Sequence, residues 1–289
     1  MIRRNTAAPT VSIVVPVKNE AANLREVLPR LPQVHEVIVV DGDSVDGSVA
    51  AAREVLPEVL VVRQTRKGKG NALAAGFLAA SGDIIVMFDA DGSADPAEIP
   101  LFVEALVGGA DFAKGSRFAP GGGSEDITGL RSLGNHGLNV VANVAFGTRF
   151  SDLCYGYNAF WRDLVPVLDL PSLELVAPAS GMVWGDGFEI ETVINCRMAA
   201  AQVVIAEVGS VELERIHGES NLRTFADGFR VLRTIGAEFR RARAARRRPA
   251  LAPVRRALPP RTDLTEPRPA TRGRDSVDLV SFGRPARSA

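Results

Sequence analysis

The chain has 289 residues, 46% of them hydrophobic and 24% charged, with two cysteines and a formal net charge of zero. That length and composition build a substantial core and exclude a disulfide-stapled miniprotein, a collagen-like or coiled-coil fibre and a wholly disordered chain. The zero charge hides a polarity: residues 240–289 hold fourteen arginines against four acidic residues, so that segment carries +10 and the body −10. An acidic body argues against nucleic acid as the main partner.

In chain order, VSIVVPV at 11–17, EVIVV at 36–40, VLVVR at 59–63 and IIVMF at 84–88 are short β-branched runs without helical period. They predict strands buried on both faces. Helix-like stretches at 20–31, 45–56 and 69–80 lie between them. Strand and helix alternate, which predicts an α/β fold with a mainly parallel, Rossmann-like twisted sheet flanked by crossover helices. The glycine-rich stretch 108–129 reads as a mobile active-site loop. Beyond it the pattern predicts a helix over 130–148, an extended segment at 155–162, a helix over 186–200 and renewed sheet at 202–214.

Leu222, Phe225, Phe229, Leu232, Ile235 and Phe239 recur every three or four residues among arginines, predicting a basic amphipathic helix over 221–248. The Pro/Arg-rich residues 249–289 hold too little apolar material for a core and are expected to be disordered. The plan is an N-terminal extension at 1–10, one domain at 11–220, then helix and tail. No apolar run reaches the roughly 18–20 residues of a membrane span. The N-terminus lacks a signal-peptide pattern and the cysteines lack C-x-x-C spacing, so a cytoplasmic location is expected, with any membrane contact peripheral.

In such sheets ligands bind beyond the carboxyl ends of the strands. Those positions are polar here: Lys18, Asn19 and Glu20 after the first strand, Asp41 and Asp43 after the second, Asp89 and Asp91 after the fourth. FDADGSADP at 88–96 brings two carboxylates, one residue apart, to a strand end, a pattern suited to a hard divalent cation that clamps a diphosphate. An acidic turn alone would look the same.

SIVVPVKNE, VVDGDSVDGS, KGKGNAL, the DAD segment and GSRF follow in order, and together resemble the family 2 glycosyltransferases with the GT-A fold. RSLGNHGLN, SDLCYGYNAFWR and ELERIHGESNL are similar to the dolichol-phosphate mannosyltransferase and polyprenyl-phosphate glycosyltransferase branch, so the resemblance runs over about residues 11–222. It implies that Pro16, Asn19 and Glu20 line a nucleotide pocket with Asp41 on the base or ribose and Asp43 beside it. Lys67 and Lys69 flank Gly68 just before a helix start, where ammonium charge and the exposed N–H groups, Gly70 among them, suit phosphate. The resemblance implies that Asp89, Ala90 and Asp91 hold the donor through Mg²⁺ or Mn²⁺ on the two aspartates. Ser93 stands where the family usually offers a stronger ligand.

Each assignment has a plainer rival. Asp41, Asp43, Ser44 and Asp46 could form a turn, with Asp46 capping the helix near Val45. Lys67 and Lys69 could belong to a solvated loop. The resemblance implies an acceptor-phosphate site at Arg117, Arg131 and Arg215, and each could instead be an ion-pair partner.

A phosphate acceptor is already anionic and needs no base, whereas a hydroxyl acceptor requires a carboxylate, for which Asp152, Asp186 and Glu189 are candidates. Asp186 and Glu189 could equally serve the start of their helix. Asn158 stands where the branch commonly has arginine. His35, His136 and His217 are too scattered for zinc, and Trp161, Trp184 and the phenylalanine stripe read as packing.

The reading favoured is an inverting, metal-dependent transfer of a hexose from a nucleotide-diphosphate sugar to a polyprenyl phosphate. A soluble hydroxyl acceptor and a non-catalytic sugar-nucleotide-binding subunit are the alternatives.

Overall fold

β1 (Val11–Val17) lies inside a seven-stranded sheet, between β2 (Glu36–Asp41) and β4 (Ile84–Met87), both parallel to it. The coordinates are a computed structural model that describes Arg4 and residues 6–125, 127–218 and 224–247. β3 (Leu60–Arg63) extends the sheet beyond β2, and β7 (Asn158–Trp161), β5 (Phe112–Ser116) and β8 (Ile205–Gly209) continue it beyond β4. β7 runs antiparallel to both neighbours, so the sheet is mainly parallel, as expected, with one reversed strand.

Alternation along β1 builds two core layers. Ile13, Val15 and Val17 face α1 (Ala21–Val27), α2 (Ser48–Val55) and α4 (Ile99–Val107) through Leu24, Ala52 and Phe102. Val14 faces the opposite layer, where α3 (Lys69–Ala79), α6 (Val165–Leu168) and α7 (Ile190–Ala200) contribute Phe77, Leu168 and Ile194. Both faces of the sheet are covered, which is why its strands read as continuous apolar runs.

Several boundaries differ from expectation. The helix expected at 20–31 stops at Val27 and continues as one 3₁₀ turn over 28–30, where Pro29 removes a main-chain donor. The stretch 108–129 is not one mobile loop: β5 lies within it, fully buried, and β6 (Gly123–Ser124) pairs with β9 (Val211–Glu212). FAKGS carries no β-branched residue, so pairing with β7 and β8, rather than intrinsic preference, makes it a strand. The helix expected from 186 starts at Ile190, because residues 185–189 are held in a loop described below.

α5 (Gly129–Phe146) and α8 (Thr224–Arg247) pack beside α7. α8 buries Ile235, Thr234 and Glu238, while Phe229, Leu232 and Phe239 stay exposed. Glu238 accepts two bonds from Arg197 of α7, both 2.9 Å, and one from Trp184 Nε1 at 3.0 Å. The amphipathic helix is therefore docked on its own domain. Leu222 and the expected tail at 249–289 lie outside the described residues, as does the side chain of Phe225. Trp161 is buried, as read from the sequence, and donates to Ala110 O.

Candidate active site

The turns after β1 and β2 are locked to each other. Asn19, at φ 56°, donates its N–H to Ser44 Oγ and accepts from Val45 N–H through Oδ1, both at 2.9 Å. Asp41 is 3% exposed and accepts from the N–H groups of Asp43 (3.1 Å) and Ser44 (3.2 Å), so its carboxylate closes the turn. Asp46 accepts from Ser48 N–H at 3.0 Å and from Ala21 N–H at 2.9 Å, serving the first turns of α2 and α1 together. Its helix begins at Ser48, three residues later than expected. Asp43 is exposed and Pro16 half-buried at the end of β1.

Asp89, just past β4, is paired with Lys69 Nζ at 2.7 Å, and the same ammonium reaches Glu191 at 2.7 Å. Burial would lower the Lys69 pKa, but Asp89 and Glu191 hold it well above the ordinary lysine value. Lys69 thus neutralises two carboxylates from different elements. Glu191, in the first turn of α7, escaped the sequence reading. Its signal was the second glutamate of FEIE, which helical spacing sets apart from Glu189.

The start of α3 was expected to cradle phosphate, and the structure corrects this. Gly70 N–H is taken by Asp186 O at 2.8 Å, and Asn71 N–H points to the same oxygen at 3.3 Å. The approach is so close that a Cβ on Gly70 would lie 1.9 Å from Gly185 O, and one on Gly68 2.0 Å from Asp186 O. Asp186 itself is bidentate with Arg66, at 2.6 and 2.9 Å, and is 1% exposed. Glu189 accepts from Gly185 N–H at 2.9 Å. Asp186 and Glu189, read as base candidates, are buried carboxylates of this loop, Asp186 with both oxygens on Arg66 and Glu189 with Oε1 on the N–H groups of Gly185 and Gly187.

Asp91 lies on the other side of Ala90, which is buried. Its Oδ1 accepts from Ser93 N–H at 3.0 Å and Ser93 Oγ at 2.7 Å, so Ser93 orients the carboxylate. Arg215 Nη2 lies 2.9 Å from Asp91 Oδ2, and Nη1 lies 3.2 Å from Glu20 Oε1. Arg215 thereby brings Glu20, after β1, and Asp91, after β4, onto one group.

Arg117 follows β5 and is bidentate with Asp152 at 2.6 and 2.9 Å, with Glu212 at 3.0 Å on its other edge. The expected role of Asp152 as a base is overturned for the same reason. It is fully buried, and although burial would raise its pKa, Arg117 and Lys114 hold it below the usual carboxylate range. Lys114, missed from the sequence, is fully buried and donates to Gly115 O and Tyr155 O at 2.7 Å each. Burial pushes its pKa down to about 8. Arg131 sits in the first turn of α5, half-buried, its N–H on the Thr128 cap. His35 meets Ser81 Oγ and His217 N–H meets Asn23 Oδ1, both at the edges of elements, as scattered structural histidines would.

The donor set suits a hard cation only in part. Among the described residues no three His, Cys, Asp or Glu side chains form a cage. Mg²⁺ and Mn²⁺ sites of this type use one or two carboxylates and take further oxygens from phosphates, which fits Asp91, with Asp89 behind it on Lys69.

The profile of Glycosyl transferase family 2 matches residues 12–167. The chain belongs to that family. This family member is 32% identical over 224 residues to an undecaprenyl-phosphate mannosyltransferase of Micrococcus luteus, covering 73% of this chain and 87% of the relative. It is 34% identical to a polyprenol monophosphomannose synthase of Mycolicibacterium smegmatis, over 58% of this chain and 69% of that one. To a dolichol-phosphate mannosyltransferase of Pyrococcus furiosus it is 35% identical over 55% of its length, and spans 48% of that relative. Glucosyl-3-phosphoglycerate synthase from Mycobacterium tuberculosis, crystallised with Mn²⁺, uridine diphosphate and glucosyl-3-phosphoglycerate, shares its fold. The TM-score is 0.60, with 24% identity and 81% of each chain covered. The GT-A architecture of this glycosyltransferase agrees with the sequence expectation.

Proposed function

We propose that this glycosyltransferase moves a hexose from a nucleotide-diphosphate sugar to a polyprenyl phosphate, with inversion at the anomeric carbon. The observation that carries the acceptor assignment is the state of the acids. Asp152, Asp186 and Glu191 are held by Arg117, Arg66 and Lys69, and Glu189 by main-chain N–H groups. A hydroxyl acceptor would need one of them as a proton acceptor. A phosphate oxygen needs none, being anionic at neutral pH. The names of the mannosyltransferase relatives support the same acceptor class.

In this reading Asn19, Glu20 and Asp41 border the nucleotide, and Asp91 is the residue that would hold Mg²⁺ or Mn²⁺. The cation supplies charge neutralisation for the departing diphosphate. The acceptor oxygen bonds to the anomeric carbon as the carbon–oxygen bond to the diphosphate breaks, its electron pair leaving with the nucleotide. Arg131 is the guanidinium group assigned to the acceptor phosphate, Arg215, paired with Asp91, is assigned to the donor diphosphate, and Arg117 supports the site through Asp152.

No helix among the described residues is long and apolar enough to cross a membrane. In this reading exposed apolar and basic residues meet the lipid acceptor: Leu133 and Val144 on α5, Phe229 on α8 and the arginines of 240–247. Apolar side chains beside basic ones suit an anionic leaflet.

The test is incubation with radiolabelled GDP-mannose or UDP-glucose and undecaprenyl phosphate in Mg²⁺. Label in the organic phase is expected, and label only in water-soluble product would contradict the proposal.

A further inference from the structure

The segment carrying Arg215 is stitched down by main-chain bonds. Leu213 N–H meets Ser93 O at 2.9 Å, Ile216 N–H meets Asp91 O at 3.0 Å, and His217 N–H meets Asn23 Oδ1 at 2.9 Å. Gly92, at φ 83°, lets Ile216 press on the loop, where a Cβ would come within 2.5 Å of it. This fixed backbone aims the guanidinium at Asp91 Oδ2 and Glu20 Oε1, while Ser93 fills Asp91 Oδ1. Both oxygens of the carboxylate are therefore in use. A dication arriving alone would have to displace a guanidinium that, still paired with Glu20, would remain beside it as a like charge.

We infer that Arg215 holds the cation's place: it pairs with Asp91 in the free chain and turns onto the diphosphate when metal and nucleotide arrive together. The metal then enters with the nucleotide and not ahead of it. This rests on the donor reading above and deepens it by fixing the order of binding.

Three features support the exchange. The Arg215 side chain is 29% exposed, so it can swing while its backbone stays bonded. A guanidinium that gives up a carboxylate finds in a diphosphate a bidentate acceptor of greater charge. The cation, with no cage of three protein ligands among the described residues, depends on those same phosphate oxygens. Metal and nucleotide are thus linked through one side chain, and the linkage is reciprocal.

The experiment is titration of Mn²⁺ into the full chain without nucleotide, following free Mn²⁺ by electron paramagnetic resonance, with thermal melts to confirm folding. The wild type is expected to bind weakly and Arg215→Gln at least tenfold more tightly. Arg215→Lys, which keeps the charge, should remain as weak as wild type. Adding Asp91→Asn to Arg215→Gln should abolish the gain, which locates the ion. Equal affinity of wild type and Arg215→Gln, or a gain that survives Asp91→Asn, overturns the inference.

A second test compares the gain in Mn²⁺ affinity that UDP or GDP brings: a gain at least tenfold larger in wild type than in Arg215→Gln supports the exchange, and an equal gain in both overturns it. Absence of any nucleoside diphosphate binding would instead strike the donor reading, and the nucleotide-free titration would still judge Arg215.

Discussion

Arg117 and Asp152 form a bidentate ion pair at 2.6 and 2.9 Å, with the carboxylate wholly buried between β5 and α5, where Asn135 Nδ2 adds a bond at 3.0 Å. Removing one partner of such a pair strands a buried charge. Arg117→Ala should therefore destabilise the chain by about 3 kcal/mol in urea unfolding. A guanidinium reserved for ligand would cost almost nothing, so unchanged stability contradicts the supporting role.

The two aspartates of the DAD segment differ in what already holds them. Asp89 is bound by Lys69 from the start of α3, whereas Asp91 faces Arg215 from the segment after β9. In calorimetry with UDP or GDP and Mn²⁺, Asp91→Asn should lower affinity at least a hundredfold, about 2.7 kcal/mol. Asp89→Asn should lower it less and should also depress the melting temperature, because Lys69 loses a partner.

Lys114 predicts a pH dependence. Its folded pKa, pushed down to about 8 by burial, lies below the ordinary lysine value of 10.5, so between those values the folded chain binds fewer protons than the unfolded one. The contribution of Lys114 to stability therefore rises with pH from about 8 to 10.5, by up to roughly 1.4 kcal/mol per pH unit, and is lost as pH falls through 8. The thiols of Cys154 and Cys196, whose pKa desolvation raises, act with the opposite sign above about 9, so the Lys114 contribution is read as the difference between wild type and Lys114→Met in urea unfolding, which should grow from pH 8 to 10.5.

Gly70 allows the close approach of the loop that precedes α7 to the start of α3. Because a Cβ there would lie 1.9 Å from Gly185 O, Gly70→Ala should force the loops apart, lower the melting temperature by several degrees and reduce transfer activity. Circular dichroism melts with activity assays check both.

The parallel sheet was legible because β1, β2 and β4 are buried on both faces and therefore written as unbroken β-branched runs. β5 was not, since FAKGS acquires its strand character from neighbours 40 or more residues away. Of the site, the polar ends of the strands and the DAD pair were readable from local pattern. The partners were not. Arg66 with Asp186, Lys69 with Glu191 and Arg117 with Asp152 join residues 35 to 122 positions apart, and only the fold decides whether a carboxylate is a base or half of an ion pair. Neither reading of Asp186 and Glu189, as base or as helix start, describes them: Asp186 pairs with Arg66, and Glu189 precedes α7 without a side-chain bond that caps it.

The most direct measurement is anomalous scattering from a crystal of the chain soaked with Mn²⁺ and nucleoside diphosphate. A manganese peak is expected beside Asp91 at the end of β4, bridging to the diphosphate, with Arg215 turned away from that carboxylate. A peak remote from Asp91, or nucleotide bound at the site with no metal there, would contradict a cation-held donor.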